Sequence, residues 1–443
     1  MATQTITLPW GKESISIPLP EGWHINGTLQ PSPVPAVPNP AKETLRSLQS
    51  PIGSQHLLEM VKPDMKIALV VDDGSRPTPV AKMLPCVITE LQHGGANLEK
   101  ITLVTAIALH RPMSEEELAQ RIGADWLRGA DGGPPLRWEN HECDNLEKLT
   151  FLGTTSRGTP VYINKTVAEA DLVISIGCIE PHSIASFGGG YKNLIPGVAG
   201  RATIAHNHSL NCQPATFKNV GQPIERNPMR LDMEEGGQML TPPVFIINAV
   251  LNSALKVVHV VSGHPIQAHR DGARLSASIY GVNLPALADV VITSSHPMDQ
   301  DLRQGVKALA NNINAVRKGG VMIVLVRAEE GVGVFGLANR KLPVGRGALK
   351  LLAPLLLPLV PKLKLKGMGE EDRFFLYFAL QAMRHCTILI YAPTLPVEIH
   401  EKLPFVTFVD SVEKAIALAR QRFPKQAEVV VIPHGGSTYP ILT

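Results

Sequence analysis

"KIALVVDDGSRPTPVAKMLPCVITELQHGGANLEKITLVTAIALHR", residues 66–111, decides the architecture. It opens with a buried strand ("KIALVVDD", 66–73) and passes through a helix stopped by glycine ("VAKMLPCVITELQHGG") into a second strand ("ITLVTAIAL", 101–109). Continuous apolar runs of this length suit strands covered on both faces, as in parallel sheets flanked by helices. Both strands end in ionisable residues, Asp73 and Arg76 on one and His110 and Arg111 on the other.

The alternation continues outward. "SEEELAQRIG" (114–123) predicts a helix whose Ser114 forms a capping box with Glu117, and "ADLVISIGCI" (170–179) predicts a strand. A second series starts near 286, with strands at "ADVVITSS" (288–295), "GGVMIVLV" (319–326), "CTILIYAP" (386–393) and "AEVVVIP" (427–433). Helices are expected at "DLRQGVKALANNINAV" (301–316) and "SVEKAIALARQRF" (411–423). The proline-dense "PSPVPAVPNP" (31–40) reads as an extended connector. The expected fold is α/β, in two lobes, each with a mixed or mostly parallel sheet flanked by helices and with the active site in the cleft between them. Residues 1–280 form the expected catalytic and cofactor-binding lobe, with 426–443 packing back onto it, and 286–425 the lobe that closes over substrate. Residues 245–285 read as the junction.

With 443 residues, 44% of them hydrophobic and 18% charged, the chain can bury a large core. A formal charge of +3 is nearly neutral and argues against nucleic acid as a partner. The five cysteines, Cys86, Cys143, Cys178, Cys212 and Cys386, form no C-x-x-C pair, which fits a reducing, cytoplasmic setting. No signal peptide is read in "MATQTITLPWGKESISIPLP". "LLAPLLLPLV" (351–360) falls short of the roughly 20 residues of a membrane span. It reads as a buried helical turn or packed loop, or else as an interfacial patch.

Open α/β sheets bind ligands at the carboxyl ends of their strands. Asp73, Ser75 and Arg76, then His110, then His182 follow three successive strands, so they either share one cleft or lie on three unrelated loops. "DDGSRP" (72–77) offers a guanidinium and a turn of backbone N–H groups to an anion, or is a turn with a surface ion pair. "GGGYK" (188–192) fails the Walker pattern, yet Gly188, Gly189 and Gly190 would let a ligand approach the backbone closely. Lys192 would pair with a phosphate or, desolvated, act as a nucleophile; a plain flexible loop is the alternative. His206 and His208, two apart on a presumed extended segment, would point to one face. No spacing for a self-contained metal cage appears around them. "GVGVFG" (331–336) satisfies G-x-G-x-x-G, but "RAEE" separates it from the preceding strand, and it reads as a glycine-rich loop.

Taken together, "DDGSRP", "HRPM", "NHEC", "GTPVYINKTVAEADLVISIG", "IEPHSIASFGGGYKNLIPG", "NH" and "DLRQGVKA" resemble the nickel-pincer lactate racemases and related 2-hydroxyacid racemases and epimerases. The resemblance spans most of the chain and is densest over 66–208. It implies His110 and His182 as paired acid–base catalysts, Lys192 as the lysine that holds the cofactor, and His208 as the nickel ligand. Asp73, Ser75, Arg76 and Gly188–Gly190 would line the cofactor site, with Arg76, Gln304, Lys307 and Arg303 toward substrate. The implied cofactor is a nickel(II) pyridinium-3,5-bisthiocarboxylate mononucleotide, the implied substrate a 2-hydroxy acid, and the implied partners the enzymes that make the cofactor. Because the cofactor supplies three donors to a square-planar nickel, one protein ligand suffices. Hydride leaving Cα for the cofactor, and returning to the other face of the keto acid, would invert the centre while the histidines exchange protons.

This chain departs from the family in places. Arg303 replaces the usual tyrosine, and would either favour a second anionic group, as in malate, or point to solvent. Ala108 and Leu109 stand for the usual glycine and threonine, and Ser186 and Gly188 for glycine and serine. A non-redox isomerase or dehydratase, or a non-catalytic binder of the pincer nucleotide, are the competing functions; retention of both His110 and His182 favours catalysis.

Overall fold

A computed structural model describes residues 4–129, 133–214, 224–333, 335–339, 341–342, 344–363 and 370–442. Two six-stranded sheets organise the chain. In the first, Val257–Gly263, Val244–Leu251, Leu172–Ile179, Ile67–Asp72, Ile101–Ala106 and Arg137–Asn140 lie side by side. All pairs are parallel except that between Val244–Leu251 and Val257–Gly263. The second is parallel throughout, in the order Thr407–Val409, Thr387–Tyr391, Val316–Leu325, Ala288–Ser294, Ala427–Ile432, Trp23–Thr28.

Side-chain alternation sorts each strand between two cores. Along Ile67–Asp72, Leu69 and Val71 pack with Met83, Leu84 and Val87 of the helix Val80–His93, whereas Ala68 and Val70 face the core between the lobes. In the second sheet Val290 and Ile292 join Leu8, Ile17 and Trp23 on the outside, while Val291, Met322 and Val324 face inward. Both lobes therefore contribute to one shared core.

Each of the seven stretches marked as a strand holds one, although Val316–Leu325 begins three residues before its marked start, and three assignments change. The supposed junction 245–285 holds two strands of the first sheet and the helix Gln267–Tyr280. Trp23–Thr28 is an edge strand of the second sheet, and Ala427–Ile432 pairs beside it, so both chain ends build the second lobe; only Tyr439–Leu442 turns back, to pair with Gly281–Leu284. Local pattern marks a strand but not the sheet it joins. Lastly, 351–360 is only partly buried: 351–356 forms the second half of the helix Arg346–Leu356, with Leu351 79% and Leu355 70% exposed while Ala353, Leu357 and Val360 are buried.

Within "GVGVFG" and the segment after it, Val334, Arg340 and Pro343 lie outside the described residues. The neighbouring backbone has a capping role. Gly331 and Val332 carbonyls accept N–H bonds from Leu302 and Arg303, at the start of the helix Leu302–Asn312. The Asp301 side chain accepts a third, from Gln304 N at 2.7 Å.

Candidate active site

Register sets Asp72 opposite Ala106 and Val71 opposite Ile176, so three strands of the first sheet end at one level. The chain leaving them lines one cavity of about 190 Å³, with Asp73, Ser75 and Arg76 from the first strand, His110 from the second and His182 from the third. Lys192 and His208 line it too, as do Arg303, Gln304 and Lys307 from the helix Leu302–Asn312 of the other lobe. Three and four residues apart on one helix, Arg303, Gln304 and Lys307 share a face. The shared cleft is thus the arrangement found. Arg111 leaves it, its guanidinium turned to Glu117 on the surface.

The two histidines are held in opposite ways. His110 Nδ1 lies 2.5 Å from Asp73 Oδ2, whose other oxygen accepts from Ser75 N at 3.0 Å and Ser75 Oγ at 2.5 Å. Burial pushes the Asp73 carboxyl up, but its bonds to His110 and Ser75 and the nearby Arg76 charge hold it well below the usual carboxylate range. The ionised Asp73 therefore accepts a hydrogen bond from His110 Nδ1–H, which leaves Nε2 with the lone pair, and that lone pair accepts from Arg303 Nη1 at 3.0 Å. His182 Nδ1 instead accepts from Ile184 N and Ala185 N, at 3.4 and 3.3 Å, which puts its proton on Nε2. Burial, and then the charges of Lys192, Arg76 and Lys307, push the His182 pKa well below its ordinary value.

Positive charge dominates the wall. Arg76, Lys192, Arg303 and Lys307 all line the cavity. Glu180 offsets part of it through a 2.8 Å ion pair with Arg76. Burial and mutual repulsion lower Lys307 to about 8 and hold Lys192 well below the ordinary lysine value. Such a site favours anions, and Lys192 is the amine most prone to lose its proton. Gln304 Oε1 is buried without a hydrogen-bond partner, an acceptor awaiting a ligand.

His208 suits a metal. Its Nδ1 bonds the Ile204 carbonyl at 2.8 Å, leaving Nε2 unprotonated, and burial lowers its pKa to about 4. Among the described residues no cluster of three or more His, Cys, Asp or Glu side chains could hold a metal by itself. A lone imidazole and an anion-seeking wall fit an anionic ligand that brings its own metal donors, and the orphaned Gln304 oxygen would accept a hydrogen bond from an O–H of such a ligand or of substrate.

Two expectations change here. His206 and His208 lie on the helix Arg201–Ser209, not on an extended segment, so positions two apart diverge. His206 turns away to Thr159 Oγ1 at 2.8 Å, and Thr159 in turn donates to Asp232. Gly188, Gly189 and Gly190 are buried behind the cavity rather than on its wall. Gly189 and Gly190 have φ of 74° and 62°, and a Cβ on Gly189 would lie 2.6 Å from Ile179 Cγ1. Their glycine is needed for backbone conformation and packing.

That loop is clamped by side chains the sequence did not single out. The fully buried Arg230 donates to the carbonyls of Ala185, Phe187 and Gly189; His269 Nε2 bonds Gly188 O at 2.8 Å, and Asn248 Oδ1 accepts from Gly190 N at 2.8 Å. Nothing local in the sequence marks Arg230 as a clamp. Two strained positions flank the catalytic loops: Ala108 at φ 50° and Ser186 at φ 62°, both where the family resemblance expects glycine. Each costs roughly 1 kcal/mol relative to a relaxed backbone.

The buried histidines set an acid limit. His182, His208 and His269 all have lowered folded-state pKa values, chiefly through burial. The unfolded chain then binds more protons, so their contribution is complete above about pH 6.5 and is lost as pH falls below it. The thermal midpoint is expected to drop by at least about 5 °C between pH 7.5 and 5. A flat profile over that window, measured by calorimetry, would contradict the neutral state assigned to these rings.

Residues 10–218 match the family described as the lactate racemase N-terminal domain. The lactate racemase of Thermoanaerobacterium thermosaccharolyticum is 30% identical over 335 residues, 75% of this chain and 76% of that protein. The lactate racemase of Lactiplantibacillus plantarum is 28% identical over 398 residues, 88% of each chain. The solved lactate racemase apoprotein from T. thermosaccharolyticum superposes with a TM-score of 0.83 at 26% identity, covering 99% of this chain and 100% of that one. A Thermotoga maritima structure shares the fold, with a TM-score of 0.66 at 15% identity over 91% of this chain and 98% of that one. Among the described residues no helix is long and apolar enough to cross a membrane.

Proposed function

The chain belongs to the lactate racemase family, and on that premise we propose that it interconverts the two configurations of a 2-hydroxy acid in the cavity between its lobes. One observation carries the proposal: two histidines in complementary hydrogen-bonding states share a cavity wall with four basic side chains and an unpaired amide oxygen.

Each residue has work that follows from its surroundings. Asp73 fixes the His110 proton on Nδ1, so Nε2 is the lone pair that takes a substrate hydroxyl proton. Lys307 and Arg76 are the cations that hold the substrate carboxylate, and Gln304 orients it. His182 supplies the opposite proton transfer. Its proton is disfavoured by the charges of Lys192, Arg76 and Lys307, so anions that neutralise them restore its affinity for a proton. His208 offers nickel a neutral imidazole nitrogen, and Lys192 offers the cofactor a cation or, deprotonated, an amine. When bound, a nickel-pincer nucleotide supplies a reversible acceptor for the hydrogen on C2. A flat keto acid formed there would present either face to the site, and the position of the cavity between the two lobes would limit the entry of water.

The test is interconversion of pure enantiomers by protein produced alongside the cofactor-making enzymes, with nickel measured per chain. Racemisation together with about one nickel per chain is expected. Holo protein that leaves every 2-hydroxy acid unchanged would end the proposal.

A further inference from the structure

The polar half of the cavity takes up only part of its wall. Beyond Arg303 the same space runs into the second lobe, between the helix Glu370–His385 and one face of the second sheet. Phe374, Phe375 and Phe378 line it from the helix, and Ile388, Ile390 and Phe408 from the strands. The helix spacing explains the aromatic wall, since 374, 375 and 378 fall on one face. Phe375 lies against Phe335 with ring centroids 5.3 Å apart, and Phe374 against Phe375 at 5.5 Å.

The chamber opens beside the catalytic groups. Arg303 Cζ sits 5.9 Å over the Phe375 ring while its Nη1 reaches His110 Nε2 at 3.0 Å. One side chain therefore touches both the acid–base histidine and the aromatic wall. This also removes the solvent-pointing reading of Arg303, and occupies its guanidinium between an imidazole and a ring face. A substrate whose hydroxyl meets His110 and whose carboxylate meets Lys307 has a third substituent on C2. The chamber next to Arg303 and Phe375 is an apolar space contiguous with that position.

We infer that the substrate is a 2-hydroxy acid with a bulky apolar side chain, aryl or branched alkyl, seated in this chamber. The inference rests on the proposed racemase reading and sharpens it. A methyl group would leave the chamber to water, which finds few polar partners between phenylalanine and isoleucine side chains. A second carboxylate, as in malate, would lose its hydration there without compensation. An apolar substituent instead gains burial for each added carbon, and each added methylene is worth about tenfold or more in specificity.

The experiment is a kcat/KM panel on nickel-loaded protein, using both enantiomers of lactate, 2-hydroxy-4-methylpentanoate, 3-phenyllactate and malate. At least about a tenfold preference for one of the two bulky apolar acids over lactate and malate is expected. That preference should shrink in Ala379→Phe, which puts a ring into the chamber. Competitive inhibition constants for the non-racemised acids give a second readout in the same variant. Preference for lactate or malate in active wild-type protein would overturn the inference and leave the racemase reading intact. Protein carrying nickel that racemises none of the four, nor any other 2-hydroxy acid, would overturn both; racemisation of a different, polar acid alone would overturn the inference only.

Discussion

His110→Asn and His182→Asn are each expected to lower kcat for racemisation by about 10²–10⁴ in both directions. Each full turnover needs proton transfer at both rings, since inversion delivers hydrogen to opposite faces. Asparagine is a suitable replacement at 182 because its carbonyl oxygen can accept from Ile184 N and Ala185 N, as the imidazole does. At 110 it keeps a donor for Asp73 and loses the Nε2 lone pair. KM should move much less than kcat, because the carboxylate is held elsewhere, by Lys307 and Arg76. Asp73→Asn should act through His110, lowering kcat by disturbing the tautomer while leaving KM little changed. If both histidine variants stayed within tenfold of wild type, the acid–base assignment would be wrong.

Arg230→Met is expected to destabilise the protein by about 3 kcal/mol and to abolish activity as well. The guanidinium is fully buried, and its donors go to three carbonyls of the loop that runs from His182 to Lys192. Burial lowers its pKa to about 10, a sign of what it costs to keep that charge inside. Methionine of similar length removes that cost but leaves the Ala185, Phe187 and Gly189 carbonyls without their shared donor. The second effect is larger because each hydrogen bond from a charged donor contributes about 1.5–3 kcal/mol, although Ala185 O and Gly189 O keep the backbone N–H of Phe187 and Lys192. Arg230→Lys should recover only part of the loss, since an ammonium cannot span three acceptors in a plane. Chemical denaturation gives the comparison; a change below about 1 kcal/mol for Arg230→Met would show that the loop does not depend on this clamp.

What the sequence made legible was local. Buried strands announce themselves by continuous apolar runs, and strand ends in such sheets converge, so the residues just past Asp72, Ala106 and Ile179 were candidates for one cleft against three separate loops, and one cleft is what the structure has. Features set by long-range packing were not legible. "RATIAHNHS" carries no clear apolar stripe, so its helix, and with it the divergence of His206 from His208, follows from packing against neighbouring helices. The burial of the glycines of 188–190 follows from Arg230, Asn248 and His269, which converge on them from distant elements. The aromatic chamber also depends on tertiary placement. Phe374, Phe375 and Phe378 read as an ordinary core face until the helix is seen to stand over the cavity beside Arg303.

Racemisation run in D2O tests the central claim most directly. The nickel-loaded protein would convert one enantiomer of its preferred acid, and mass spectrometry or NMR would read deuterium at C2 of the product. If the C2 hydrogen moves as hydride inside the closed cavity and the histidines handle only the hydroxyl proton, the inverted product keeps its original hydrogen at C2. Solvent deuterium at C2, rising with each inversion, would contradict that account and favour a non-redox isomerase in which a histidine removes the C2 proton itself.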